Sequence, residues 1–178
     1  MRAGLTYVPL NTAYTPEEID YFLNDASPAV FVCAPEKEAA LRQAARNVSS
    51  ILTLGTNFNG TLIDTLESAA HFTDIESRAQ GDIAVILYTS GTTGRSKGAM
   101  LTHGNLRSNA VTLSTAWEFT SEDRLLHALP IFHIHGLFVA LHTAMLNGCE
   151  ILFLSKFNAK EVLNQLPRAS VMMGVPTF

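Results

Sequence analysis

The sequence predicts an α/β fold, a doubly wound and mostly parallel sheet with helices on both faces. Three observations point to it. Short, largely apolar runs, AVFVC, SILTL, IAVILY and CEILFL, recur along the chain, and such runs suit buried strands. Longer segments with helix-start signals lie between them, which is the rhythm of βαβ units. No repeat of fixed period appears, which argues against a solenoid.

Taken in order, TYVPL near the start reads as a short strand. TPEEIDYFLNDA follows with Thr15 as N-cap, Pro16 at the first helical position and two acids in the first turn, a strong helix start. AVFVC is a buried strand, PEKEAALRQAARN a helix and SILTL a strand. A polar stretch, TNFNGT, and a short helix near LIDTLESAA lead to residues 83–88, IAVILY, the best buried strand of the chain. A glycine- and hydroxyl-rich loop begins where that strand ends, and it reads as a strand-to-helix turn. HGNLRSNAVTLSTAW is then a helix, RLLHALP a strand, HGLFVALHTAML an apolar helix, CEILFL a strand and NAKEVLNQLP a helix before SVMMGVP.

At 178 residues, 47% hydrophobic and 16% charged, the chain has the composition of a globular domain or of part of a larger one. Its two ends, a helix-stop pattern at residues 2–4 and an unclosed VPTF, favour part of a larger domain. Twelve basic residues stand against sixteen acidic ones with no block of either sign, so the electrostatic footprint of a nucleic-acid binder is missing. No apolar run nears the roughly 18 residues needed to span a bilayer, and the start lacks a signal-peptide pattern. Cys33 and Cys149 sit in apolar runs as small hydrophobes, which fits a reducing, cytoplasmic setting.

The most informative stretch is YTSGTTGRSKGAMLTH, residues 88–103. Gly91, Gly94 and Gly98 permit close backbone approach, Thr89, Ser90, Thr92 and Thr93 add donors, and Lys97 adds one of only four ammonium groups in the chain. That surface suits the oxygens of a polyphosphate. The Walker A pattern G-x-x-x-x-G-K-[ST] fails here on spacing. Ser96 stands where its second glycine should be, and Gly98 where its Mg²⁺-binding hydroxyl should be. A P-loop phosphotransferase, which would release ADP, is therefore disfavoured.

Residues 88–98, YTSGTTGRSKG, resemble the signature [YF]-T-S-G-T-[ST]-G-x-P-K-G of the AMP-forming acyl-CoA synthetases and related adenylating enzymes, with Ser96 in place of the usual proline. Two further motifs of that family follow in order, LPIFHIHGL at residues 129–137 and GVPTF at residues 174–178. GRSKGAMLTH, HIHGLF and VMMGVPTF look most like its malonyl-CoA synthetase branch. The resemblance implies that residues 1–178 are part of a large N-terminal AMP-binding domain, with the C-terminal domain outside the chain. It implies that Thr89, Ser90, Gly91, Thr92, Thr93, Gly94 and Lys97 wrap the ATP triphosphate. It further implies that His133 is a catalytic and substrate-binding residue beside the α-phosphate and acyl group, and that His135 lines the acyl pocket.

The expected reaction couples a carboxylic acid, malonate or a close dicarboxylate, to coenzyme A with ATP and Mg²⁺. The adenine-binding, Mg²⁺-binding and hinge segments of such enzymes match nothing here, and no cationic residue is assigned to malonate's second carboxylate. The chain alone is therefore expected to be inactive, and its sheet edges could self-associate. The alternative from another class is a non-catalytic remnant or interaction module that keeps the fold. A zinc site at His133, His135 and His142 lacks an accompanying Cys or carboxylate set. His71, His103 and His127 read as ordinary polar or packing residues, the early acids of each helix as dipole partners, and Trp117 and the phenylalanines as packing.

Overall fold

The computed structural model describes residues 2–69, 73–89, 95–176 and 178. Helix α1 (Pro16–Ala26) forms for the local reasons its sequence carries. The Thr15 hydroxyl accepts from the Glu18 N–H at 3.3 Å, the Glu18 carboxylate accepts from the Thr15 N–H at 2.8 Å, and Pro16 opens the first turn. The helix stops at Ser27 in the left-handed region, with φ 46°. It buries Ile19, Phe22 and Leu23; full burial of a side chain such as Phe22 contributes about 1.5–3 kcal/mol.

Strand β1 (Val30–Cys33) pairs in parallel with β2 (Ser50–Thr53). The segment between them is less regular than a single helix. A 3-10 turn (Pro35–Lys37) leads into one α-helical turn, α2 (Glu38–Leu41), and then into hydrogen-bonded turns. Leu41, Ala44 and Ala45 close a core with Ile19, Leu23 and Phe31. Helix α3 (Thr61–Ser68) is tied to the end of β2 by reciprocal bonds, Thr53 N–H to Thr61 Oγ1 at 2.9 Å and Thr61 N–H to Thr53 Oγ1 at 3.0 Å.

Strand β3 (Ile83–Thr89) is the buried strand expected. On one side it meets the N-terminal segment, expected as a strand, at an isolated parallel bridge, Tyr7 to Val85. On the other it pairs antiparallel with β4 (Lys97–Thr102), a strand that the sequence reading did not include. The glycine-rich segment therefore joins two strands of a hairpin; it is not a strand-to-helix turn. The signal was hidden because KGAMLT runs straight into helix α4 (His103–Ala116), leaving no turn residue to mark the strand's end. Thr102 closes the strand and caps the helix, accepting from the Asn105 N–H at 3.1 Å.

The third ladder is fully parallel, in the order β6-β5-β7: β5 (Arg124–His127) lies between β6 (Glu150–Phe153) and β7 (Val171–Met172). The crossover from β5 to β6 holds a π-helical stretch (His135–Leu141) that runs into α5 (His142–Leu146), and α6 (Ala159–Gln165) lies in the crossover to β7. Leu125, Leu129, Ala140 and Ala144 form one core cluster of this unit, and Leu126, Ala128 and Val162 form another. The α/β class with parallel ladders thus stands as read. No helix among the described residues is long and apolar enough to cross a membrane.

Candidate functional site

The last residue pair of the β3–β4 ladder is Thr89 opposite Lys97. Chain pairing thus brings an exposed hydroxyl and an exposed ammonium together at the mouth of the segment they enclose. Ser90, Gly91, Thr92, Thr93 and Gly94, the other expected ATP-binding positions, lie outside the described residues. Gly98 faces Tyr88 across the ladder. A Cβ there would sit 2.9 Å from Ile86 Cγ2 and 3.4 Å from Tyr88 Cε1, so this glycine lets the two stems pack closely.

Both stems rest on α1. The Tyr88 hydroxyl donates to Asp25 Oδ2 at 2.6 Å, and the Tyr21 hydroxyl donates to the Ser96 carbonyl at 2.8 Å. The Arg95 guanidinium lies 4.1 Å above the Tyr21 ring, and Phe22 packs against Tyr88 with ring centroids 4.4 Å apart. Burial, then the hydrogen bond and charge of Asp25, push the Tyr88 phenol well above its ordinary pKa, so it remains the donor of this pair. The contacts of Tyr21, Asp25 and Arg95 around these stems were not expected from the sequence. The one local signal was a Tyr and an Asp one helical turn apart on α1, flanking a buried Phe.

His133 is exposed and lies just ahead of the π-helical stretch, as its place at a helix start led one to expect. Its N–H donates to the Pro130 carbonyl at 3.3 Å, and its own carbonyl accepts from the Leu137 N–H at 3.1 Å. Gly136 makes this entry possible, because a Cβ there would meet the Pro130 carbonyl oxygen at 2.3 Å. Such π-helical stretches are concentrated at functional sites. Phe138 joins the core cluster of Ala84, Val85, Leu87 and Leu106, which fixes the histidine segment against β3. Among the described residues, no hydrogen bond or ion pair links His133 or His135 directly to Thr89 or Lys97.

His135 is half-buried, and its charge opposes protonation of His127. His127 is the last residue of β5 and is only 1% exposed, stacked on Phe153 at 5.2 Å, and neither ring nitrogen has a hydrogen-bond partner among the described residues. Burial is the main cause that holds its pKa below the ordinary histidine value, with His135 adding to the effect and the Leu129 backbone opposing it. His142 is lowered by burial too. No three His, Cys, Asp or Glu side chains among the described residues come together as a metal-holding group. Clefts of about 560 Å³ beside Lys156 and Lys160, and about 520 Å³ between the N-terminal segment, α1 and β1, include none of Thr89, Lys97, His133 and His135.

The hairpin that ends on the Thr89–Lys97 pair is joined through the Phe138 core cluster to the histidine segment that enters the π-helical stretch. The chain belongs to the family of AMP-binding enzymes, whose sequence profile matches residues 1–178. Among solved structures, it is similar to the ATP-bound crystal structure of MatB from Rhodopseudomonas palustris, with 49% identity and a TM-score of 0.93, covering 99% of this chain and 35% of that one. Among curated proteins, it is 32% identical over 183 residues to the mitochondrial malonate–CoA ligase ACSF3 of Bos taurus, covering 99% of this chain and 30% of the relative. It is equally 32% identical, over 179 residues, to a feruloyl-CoA synthase of an Amycolatopsis species, covering 99% of this chain and 35% of the relative. The chain thus spans about a third of the length of the relatives it matches.

Proposed function

We propose that residues 1–178 form part of the larger AMP-binding domain of an ATP-dependent carboxylic acid–CoA ligase, and that its acid is malonate or a close dicarboxylate. The observation that carries this reading is the terminal Thr89–Lys97 pair at the mouth of the glycine-rich connection. The likeness to a MatB structure with ATP bound supports it. Equal identity to a malonate ligase and a feruloyl-CoA synthase leaves the curated relatives neutral on the acid. The higher identity to MatB, and the relation of the FHIHGLF segment to that branch, favour malonate.

In the proposed reaction an acid carboxylate oxygen attacks the α-phosphorus of ATP, the bond to the β-phosphate oxygen breaks, and pyrophosphate leaves. The thiol of coenzyme A then attacks the acyl carbonyl, loses its proton, and AMP departs. Negative charge gathers on the leaving phosphates, so fixed donors placed there stabilise the transition state. Thr89, Ser90, Gly91, Thr92, Thr93, Gly94 and Lys97 take that role, with Lys97 the one full positive charge among them. His133 stands beside the α-phosphate and acyl group, and His135 lines the acyl pocket. Mg²⁺ would enter with the nucleotide and offset phosphate charge; no residue of this chain is assigned to it. The two thiols, both free, fit a reducing compartment such as the cytoplasm.

The products test this reading. With malonate, ATP and coenzyme A, the full-length enzyme carrying this chain forms AMP and pyrophosphate in equal amounts with malonyl-CoA. ADP formation would instead identify a phosphotransferase and overturn it.

A further inference from the structure

Two residues on one helix, Asp25 and Tyr21, hydrogen-bond the two stems of the glycine-rich connection, across 63 and 75 residues of sequence. We propose that Tyr21 and Asp25 of α1 are positioning residues for the nucleotide step, holding the two stems so that Thr89 and Lys97 stand ready for phosphate. The proposal rests on the preceding reading that Thr89 and Lys97 meet the phosphates of ATP.

Tyr21 touches two consecutive residues just before Lys97. Its hydroxyl bonds the Ser96 carbonyl at 2.8 Å, and its ring carries the Arg95 guanidinium at 4.1 Å. Asp25, one turn further along α1, receives the Tyr88 hydroxyl at 2.6 Å, immediately before Thr89. Phe22 lies between them, 2% exposed, and packs on the Tyr88 ring. The contacts therefore fall on the residues flanking the Thr89–Lys97 pair. Neither Tyr21 nor Asp25 is a ligand in this scheme; each acts through the stem it holds.

The physical reason is entropy. Thr89 and Lys97 form the last pair of a two-stranded ladder, and any freedom of such terminal residues is lost when a ligand binds them, which weakens binding unless they are fixed beforehand. Proline at residue 96, the usual residue of the signature this segment resembles, would restrict φ covalently. Ser96 has no such restriction, and the Tyr21 hydroxyl on its carbonyl supplies one from outside. The worth of the Tyr21 hydroxyl then depends on which residue occupies position 96, a dependence that ordinary packing would not produce.

The test is steady-state pyrophosphate release by the full-length enzyme with Tyr21→Phe, Ser96→Pro and the double variant. Tyr21→Phe keeps the ring and the Arg95 contact. It should raise KM for ATP about fivefold, the scale of one net hydrogen bond, while kcat, KM for coenzyme A and Tm change little. In the Ser96→Pro background the same substitution should raise KM for ATP less than twofold. A second measurement needs no Ser96→Pro protein: without ATP, trypsin should cleave after Arg95 and Lys97 several-fold faster in Tyr21→Phe and in Asp25→Ala than in wild type. An unchanged KM for ATP, equal effects in both backgrounds, or unchanged tryptic cleavage would overturn the proposal. A wild-type enzyme that releases no pyrophosphate with any acid would instead bring down the ligase reading, and this proposal with it.

Discussion

Lys97 is exposed, sits at the last pair of an antiparallel ladder and makes no ion pair among the described residues. If its charge meets the leaving phosphates, Lys97→Ala lowers kcat/KM for acid-dependent pyrophosphate release about 10²- to 10³-fold, the usual loss of one transition-state donor; Lys97→Arg, which keeps charge but changes shape, loses less. Steady-state kinetics on the full-length enzyme checks both. His127 makes a different prediction. Its folded-state pKa lies below the ordinary value of about 6.5, so between those two values the unfolded chain binds the proton more readily than the folded one. Stability is flat above that ordinary value and falls as pH drops below it. Replacing His127 with Leu removes this buried titrating group and should reduce the drop in Tm between pH 7.5 and 5; an undiminished drop would contradict this.

At the scale of elements, two of the motif glycines, Gly98 and Gly136, differ in what their missing side chains avoid. At Gly98 the nearest atom to an added Cβ is a side-chain methyl that can shift, whereas at Gly136 it is the Pro130 carbonyl oxygen of the backbone, at 2.3 Å. Gly136→Ala should therefore destabilise by about 1–3 kcal/mol and Gly98→Ala by less, measured as unfolding midpoints in denaturant. The ease of reading each element from sequence follows the range of its causes. Helix α1 was legible because its cap, proline and acidic first turn are all within four residues of its start. Strand β3 was legible because it is continuously apolar. Strand β4 was not, because half of its reason to form lies across the hairpin in β3. For the same reason the Tyr21–Ser96 and Asp25–Tyr88 bonds could not be read from local pattern, whereas Thr89 and Lys97 could, since their spacing is itself the motif.

At the scale of the molecule, the described strands fall into three ladders, and large apolar side chains stand exposed on them, Val30 at 48%, Val32 at 43% and Phe153 at 52%. Exposed apolar groups on strands invite further packing partners, in keeping with a chain that spans about a third of its relatives. The 178-residue chain alone is therefore expected to form no acyl-CoA, and measured turnover by it would contradict the proposal that the rest of the active site lies elsewhere. The central claim concerns the activated acid. It is tested most directly by pyrophosphate release from the full-length enzyme across a panel of mono- and dicarboxylic acids. The account predicts release that depends on the acid and is fastest with malonate or a close dicarboxylate; fastest release with a monocarboxylic acid, or no acid-dependent release from any member of the panel, would contradict it.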